Sequence, residues 1–358
     1  MKSLVMTLVV LGAGPDAACY AQHTVVLRDL TLLHDVRVIG VDANGIELSD
    51  RRQLQWHEVL RGSVEPEQQA EFDRRLNSIG LPLFRIRTRM ELGNFGELQP
   101  MAGQLYEELK DSPGPSLYAV CAALFHDRLA KSDRELAAVP LMQLLELRQQ
   151  NRELSRMDSS LGLTFLESEI CQQLLPVWFD SAAAKTALEE LASADIDDAN
   201  SVDPIRPQSI YATSLQRAVE PVQIQQAESN DPWRLIFSAQ SALFNGNPQV
   251  ALESLKNLPA NQTREQEAIA LYYEGLALQQ LSRGATDQES AWLLKLLQIP
   301  ASFQNEFPEL SAAAIFEILQ DPRVDQATHG TLQKELAGRF TRTWHGRRFQ
   351  ELQEPTTR

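Results

Sequence analysis

Three cysteines in 358 residues exclude a disulfide-built scaffold, which needs a short and cysteine-dense chain. A chain of this length buries enough apolar surface to fold without cross-links. The six histidines include no pair at i, i+4, so the two-histidine helix that holds a catalytic zinc is missing. No G-x-S-x-G elbow and no glycine-rich phosphate loop occurs. Basic charge is scarce: 33 Lys and Arg stand against 48 Asp and Glu, a net charge of −15. That balance argues against a nucleic-acid partner, which needs a basic face. Long apolar runs are missing too, and no stretch approaches the roughly 20 residues that cross a bilayer.

What is present begins at the N-terminus. Met1-Lys2-Ser3 is a short basic start, residues 4–11 are apolar apart from Thr7, and Gly12, Gly14 and Pro15 break the run. Cys19-Tyr20-Ala21 places small residues where a signal peptidase reads, so residues 1–21 are expected to be a secretory signal cut after Ala21. Gly12-Ala13-Gly14-Pro15-Asp16-Ala17 matches the dinucleotide fingerprint G-x-G-x-x-A. That motif requires a helix opening at the glycines, and here a proline and then new strands follow. Asp16-Ala17-Ala18-Cys19 resembles a lipoprotein cleavage box, with Asp16 where an aliphatic residue belongs; a lipid anchor on Cys19 is the alternative to simple export. After cleavage Cys121 and Cys171 remain, either paired in an oxidising compartment or as two buried thiols.

Residues 22–64 read as a small β module. Val25-Val26-Leu27 is a short strand, residues 32–41 alternate apolar and polar, and Asn44-Gly45 is a hairpin turn that supplies positive φ cheaply. Four or five strands in so few residues predict one small curled sheet, in outline resembling SH3-like or Sm-like barrels. Trp56, its one large aromatic, is either core or a ligand platform.

Residues 65–194 read as a helical block. Pro66 starts a helix that Gly80 ends, and helices follow over 83–92, 98–109, 117–129, 133–147, 163–175 and 182–191. Arg85, Arg87, Arg89, Arg148 and Arg152 are read as solvated. Residues 195–230 are a linker with a short helix, polar and acidic where Asp195, Asp197, Asp198 and Asp203 cluster. The run from Asp195 to Asn200 has the look of a calcium loop, but its glycine position is Asn200 and its closing glutamate position is Arg206.

Residues 231–349 are the stretch around which the chain is organised, with 350–358 as a tail. Asn230-Asp231-Pro232 is a capped helix start. Leu235, Ala239, Ala242 and Leu243 recur at helical spacing. Gly246 and Asn247 break the helix, and Pro248 starts a second with Ala251, Leu252, Leu255 and Leu258 on one face. Two more units follow, over 264–297 and from 307. Ala239, Gly275 and Ala313 mark comparable places in the three leading helices, 36 and 38 residues apart. Small residues there let helices approach closely. This spacing, near the period of about 34, resembles that of tetratricopeptide repeats, as do the 34-residue step from Leu83-Phe84 to Leu117-Tyr118 and Ala102-x3-Tyr106. The match is loose: the Ala-x3-aromatic pair survives only as Ala251-x3-Leu255.

The predicted fold is therefore mainly α: stacked helical hairpins, a tetratricopeptide-like α-solenoid, behind a small N-terminal β module. No catalytic, cofactor-binding or metal-ligating residue is assigned and no cofactor is expected. His126 beside Asp127 is the one catalytic-looking pair, but neighbours on a helix do not face each other, so it reads as surface or cap. Lys334, Arg339, Arg342, Arg347 and Arg348 read as the solvated face of a last helix or a charged docking surface. Such a resemblance implies a protein or peptide partner on the helical-repeat face, no nucleic acid, and a periplasmic or extracellular place with possible envelope association. A cell-envelope enzyme, or an accessory subunit of one, is the alternative.

Overall fold

The computed structural model describes residues 24–34, 36–193, 207–220, 231–283 and 291–353. The expected signal at 1–21, the Gly12–Ala17 motif, Cys19 and the calcium-like loop with Arg206 lie outside them. The chain divides into two compact units, with the boundary between Phe84 and Arg85.

Among the described residues of the first unit six strands form two antiparallel three-stranded sheets, β2-β1-β6 and β3-β4-β5. They are β1 Thr24–Leu27, β2 Leu32–Leu33, β3 Val38–Val41, β4 Gly45–Leu48, β5 Gln53–Gln55 and β6 Val59–Ser63. The single curled sheet expected from the sequence is thus two sheets. The cause is a 3₁₀ turn at Trp56–Glu58, which ends β5 and sends the chain back to pair with β1, Val25 opposite Gly62. The hairpin turn is where Asn44-Gly45 places it. Asp42 Oδ1 accepts from the amides of Asn44 (2.7 Å) and Gly45 (3.0 Å), and a Cβ on Gly45 would collide with the Leu54 carbonyl. Trp56 is core: it is fully buried, its indole N–H donates to the Asp42 carbonyl at 2.8 Å, and its ring leans on Phe72 at 5.6 Å.

Helix α1, Pro66–Arg75, does not end at Gly80. It runs through a π turn, Leu76–Gly80, into α2, Leu81–Glu91. Gly80 serves approach rather than termination: a Cβ there would sit 3.1 Å from the Trp56 carbonyl.

The second unit is helical. Its helices are α3 Gln99–Leu109, α4 Pro115–Ala130, α5 Arg134–Gln150, α6 Ser181–Ser193, α7 Pro207–Val219, α8 Pro232–Phe244, α9 Pro248–Lys256, α10 Arg264–Ser282, α11 Ala291–Phe303, α12 Pro308–Leu319, α13 Gln326–Arg339 and α14 Trp344–Gln353. Proline begins many of them, where its missing N–H costs nothing. Asp231 caps α8 through the Trp233 amide at 3.1 Å. Successive helices pack on each other without a break from α3 to α12, while α5 also touches α7, α8 touches α10, and α12 touches both α13 and α14. The middle of α10 is buried all round, residues 268–273 without a break, as befits an inner helix. Gly275 fits the expected close approach, since a Cβ there would lie 2.6 Å from Leu296 of α11.

Two further helical expectations fail. The predicted helix over 163–175 is irregular chain with one isolated bridge, Phe165 to Cys171. Its apolar run is buried without helical hydrogen bonds because the chain folds back on itself, Leu166 amide to Ile170 carbonyl and Gln172 amide to Thr164 carbonyl, both at 2.9 Å, and side chains from elsewhere serve other backbone groups. The single last helix is two, broken between Arg339 and Trp344. There Thr343 Oγ donates to the Phe340 carbonyl (2.7 Å) and accepts from the Gly346 amide (3.0 Å). A Cβ on Gly346 would overlap the Phe340 carbonyl oxygen. Gly346→Ala is therefore expected to cost about 2 kcal/mol, read as a lowered urea midpoint at unchanged m-value.

Candidate binding site

The residues with catalytic potential are spent on structure. Asp127 is fully buried, and its Oδ1 accepts from the amides of Leu98 (3.0 Å) and Gln99 (3.1 Å). It is a cap, as expected, but not a surface residue: it caps a different helix, α3, from inside α4. His126 is buried as well, with Nε2 2.8 Å from the Leu161 carbonyl and its ring stacked on Phe95 at 4.7 Å. Burial lowers its pKa. The two side chains thus turn to different partners, and no proton relay joins them.

Cys121 and Cys171 are both buried and free, so the paired alternative is not realised. Burial raises the Cys121 thiol and pushes Cys171 up to about 12, which keeps both protonated and poor nucleophiles. Among the described residues no group of three or more His, Cys, Asp or Glu side chains is placed to hold a metal.

Arg148, read from sequence as solvated, is instead the centre of a half-buried cluster. It pairs with Asp158 and lies 4.1 Å over the Phe165 ring, while Tyr118 donates to the other Asp158 oxygen. Burial holds the Tyr118 phenol protonated by raising its pKa, and the Asp158 carboxylate adds to the rise. Arg148 also edges a polar pocket of about 310 Å³ with Gln149, Arg152, Ser155, Glu169 and Gln208. The basic stretch at 334–348 is mostly engaged. Arg347 donates to the carbonyls of Ala130 (2.5 Å) and Leu129 (3.3 Å), closing the C-terminal end of α4, where a cation also meets the helix dipole. Arg339 pairs with Glu335 and Arg348 with Glu351.

No family model, curated protein or solved structure matches this chain. The binding surface must be found in its own geometry.

That geometry offers a groove between α9 and α10, of about 220 Å³. Leu252, Leu255, Leu258, Ala270 and Leu271 form its floor, and Lys256, Gln262, Glu267 and Glu274 its sides. Leu252, Leu255 and Leu258 are only half-buried, so the apolar face of α9 is shared between core and groove. Two carboxylates and one ammonium line it. Glu274 is bonded by Lys295 at 2.8 Å in a half-buried pair and Glu267 by Arg264 at 3.2 Å in an exposed one that exchanges cheaply. By their spacing these leucines read as one face of a helix. Only the packing of α9 against α10 turns that face into a recess.

Proposed function

We propose that this chain is an exported protein-binding or scaffold protein, built as a tetratricopeptide-like array, that holds a protein or peptide segment on its helical face. The observation that carries the reading is the α9–α10 groove, an apolar floor with charged sides on tandem helices. The leader-like pattern at 1–21 supports export, and the 36- and 38-residue spacing of Ala239, Gly275 and Ala313 supports the repeat character. Among the described residues no helix is long and apolar enough to cross a membrane. The partner that fits is a segment with apolar side chains flanked by Lys or Arg. Glu267 and Glu274 outnumber Lys256 in the lining, and the net charge of −15 steers cations toward the protein.

The test is capture from a native envelope fraction, followed by direct titration of the captured partner against the pure protein. Leu255→Glu places a carboxylate in the groove floor and is expected to weaken binding by about tenfold or more, with the helical circular dichroism unchanged. Equal affinity for wild type and variant, or no partner above background, overturns the reading. Intact mass of the exported protein should match a start at Gln22.

A further inference from the structure

The polar pocket beside Arg148 differs in kind from the α9–α10 groove. It encloses about 310 Å³, room for a small molecule. The C-terminal end of α5 supplies Arg148 and Gln149, and the 3₁₀ turn Arg152–Met157 that follows supplies Arg152 and Ser155. Gln208 comes from the first turn of α7, and Glu169 from the fold-back between Leu166 and Ile170.

Charges next to the pocket are mostly spent. Arg148 is neutralised by Asp158, and Arg156 pairs with Glu153 at 3.7 Å. Two charges that line the pocket are not spent. Arg152 and Glu169 are both exposed. Among the described residues neither side chain has an ion-pair or hydrogen-bond partner, and the two do not pair with each other. Glu169 is held there against its backbone preference. Its φ is 62°, in the left-handed region that non-glycine residues seldom occupy. The Glu169 amide donates to the Leu166 carbonyl and the Leu166 amide to the Ile170 carbonyl, both at 2.9 Å, so the turn fixes where the carboxylate starts. Glycine would make the same turn without strain; a glutamate kept in it points to use of the carboxylate.

Neutral groups complete the lining. Gln208 is 3% exposed, and its amide donates to Gln149 Oε1 only at 3.4 Å, a weak bond. Both amides keep donors or acceptors to spare. Ser155 Oγ donates to the Arg152 carbonyl at 2.7 Å and retains its lone pairs. The start of α7 lies in the wall, and a helix start favours negative charge.

We propose that this pocket binds a small zwitterion, a free α-amino acid with an amide side chain. The Arg152 guanidinium, a planar fork that matches a carboxylate, and the start of α7 take the α-carboxylate. Glu169 and the lone pairs of Ser155 take the α-ammonium, and the Gln149 and Gln208 amides pair with the side-chain amide. The charges decide the class. A simple anion would meet Glu169 unpaired and a simple cation would meet Arg152, whereas one molecule carrying both charges satisfies both. The interior of a peptide carries neither charge. This site goes beyond the α9–α10 reading and does not depend on it.

The test is isothermal titration calorimetry of the dialysed full chain with L-glutamine and with three analogues that each lack one feature. N-acetyl-L-glutamine lacks the ammonium, L-glutaminamide the carboxylate, and L-leucine the side-chain amide. Saturable binding of L-glutamine is expected, with each analogue weaker by about tenfold or more, the loss of one good polar contact. Arg152→Ala should weaken L-glutamine about tenfold and leave L-glutaminamide unchanged. Glu169→Gln should weaken L-glutamine about tenfold and leave N-acetyl-L-glutamine unchanged, since each variant removes the partner that the analogue already lacks. Both residues are exposed, so the fold tolerates both changes, and an unchanged helical circular dichroism signal checks it. No saturable heat with L-glutamine at millimolar concentration, an analogue that binds as well as L-glutamine, or wild-type affinity in either variant overturns the proposal. Leu255→Glu should leave L-glutamine binding untouched, so the two sites stand or fall separately.

Discussion

Lowering the pH from 7 to 4 is expected to remove about 3 kcal/mol of stability through His345 alone. The imidazole is 2% exposed and enclosed by Phe179, Phe316 and Trp344 at ring distances of 4.3, 5.3 and 4.7 Å. Burial penalises its cation most, the Arg134 charge adds to the penalty, and the pKa falls to about 3. In the unfolded chain the group returns to about 6.5. Between those two values the unfolded state binds the proton and the folded state does not. The stabilisation is therefore complete above pH 6.5 and is lost progressively as the pH falls toward 3. His126, its pKa also lowered by burial, acts in the same direction. Half-buried Glu317, its pKa raised chiefly by burial, acts in the opposite one. The measurement is thus a comparison: urea midpoints of wild type and His345→Gln at pH 7, 5 and 4. The variant should lose less stability on acidification, by about 3 kcal/mol at pH 4. Parallel pH profiles for the two proteins would show that His345 is not held neutral.

The helices legible in the sequence were those whose ends are written locally. Asp231-Pro232, Asn247-Pro248 and the break at Gly246 carry their own start and stop chemistry, and α8 and α9 begin where these residues place them. Asn44-Gly45 likewise fixed its turn within four residues. Residues 163–175 failed because their apolar spacing is compatible with a helix, while the chain folds back on itself, Gln172 amide to Thr164 carbonyl, and is held there by groups far along the chain, at Tyr211 and Glu306. No local pattern reports a hydrogen bond to a residue 40 or 134 positions away. Arg148 was misread for the same reason, since its partners Asp158 and Phe165 sit in irregular chain. The groove was half legible: the leucines of α9 were visible as a face, but their partial exposure depends on how α10 packs.

Asp127→Ala is expected to cost about 4 kcal/mol, the largest loss from a single substitution considered for this fold. The carboxylate does three things from a fully buried position. It accepts the Leu98 and Gln99 amides at 3.0 and 3.1 Å, and these open α3, whose own N-cap residue, Leu98, has no side chain to cap with. It also takes Lys131 Nζ at 2.6 Å. Alanine leaves two amides at a helix start without an acceptor, each worth about 1–3 kcal/mol when buried, and it frees a lysine that simply re-enters water. The separable parts predict an order. Lys131→Met should cost under about 1 kcal/mol, because that side chain is 41% exposed and its pair is screened. Asp127→Asn keeps one oxygen for the amides and should fall between the two. Denaturant midpoints at constant m-value decide the order. If asparagine is as damaging as alanine, the negative charge rather than the acceptor geometry holds α3 to α4. If lysine loss equals either, the ion pair and not the cap joins the two helices.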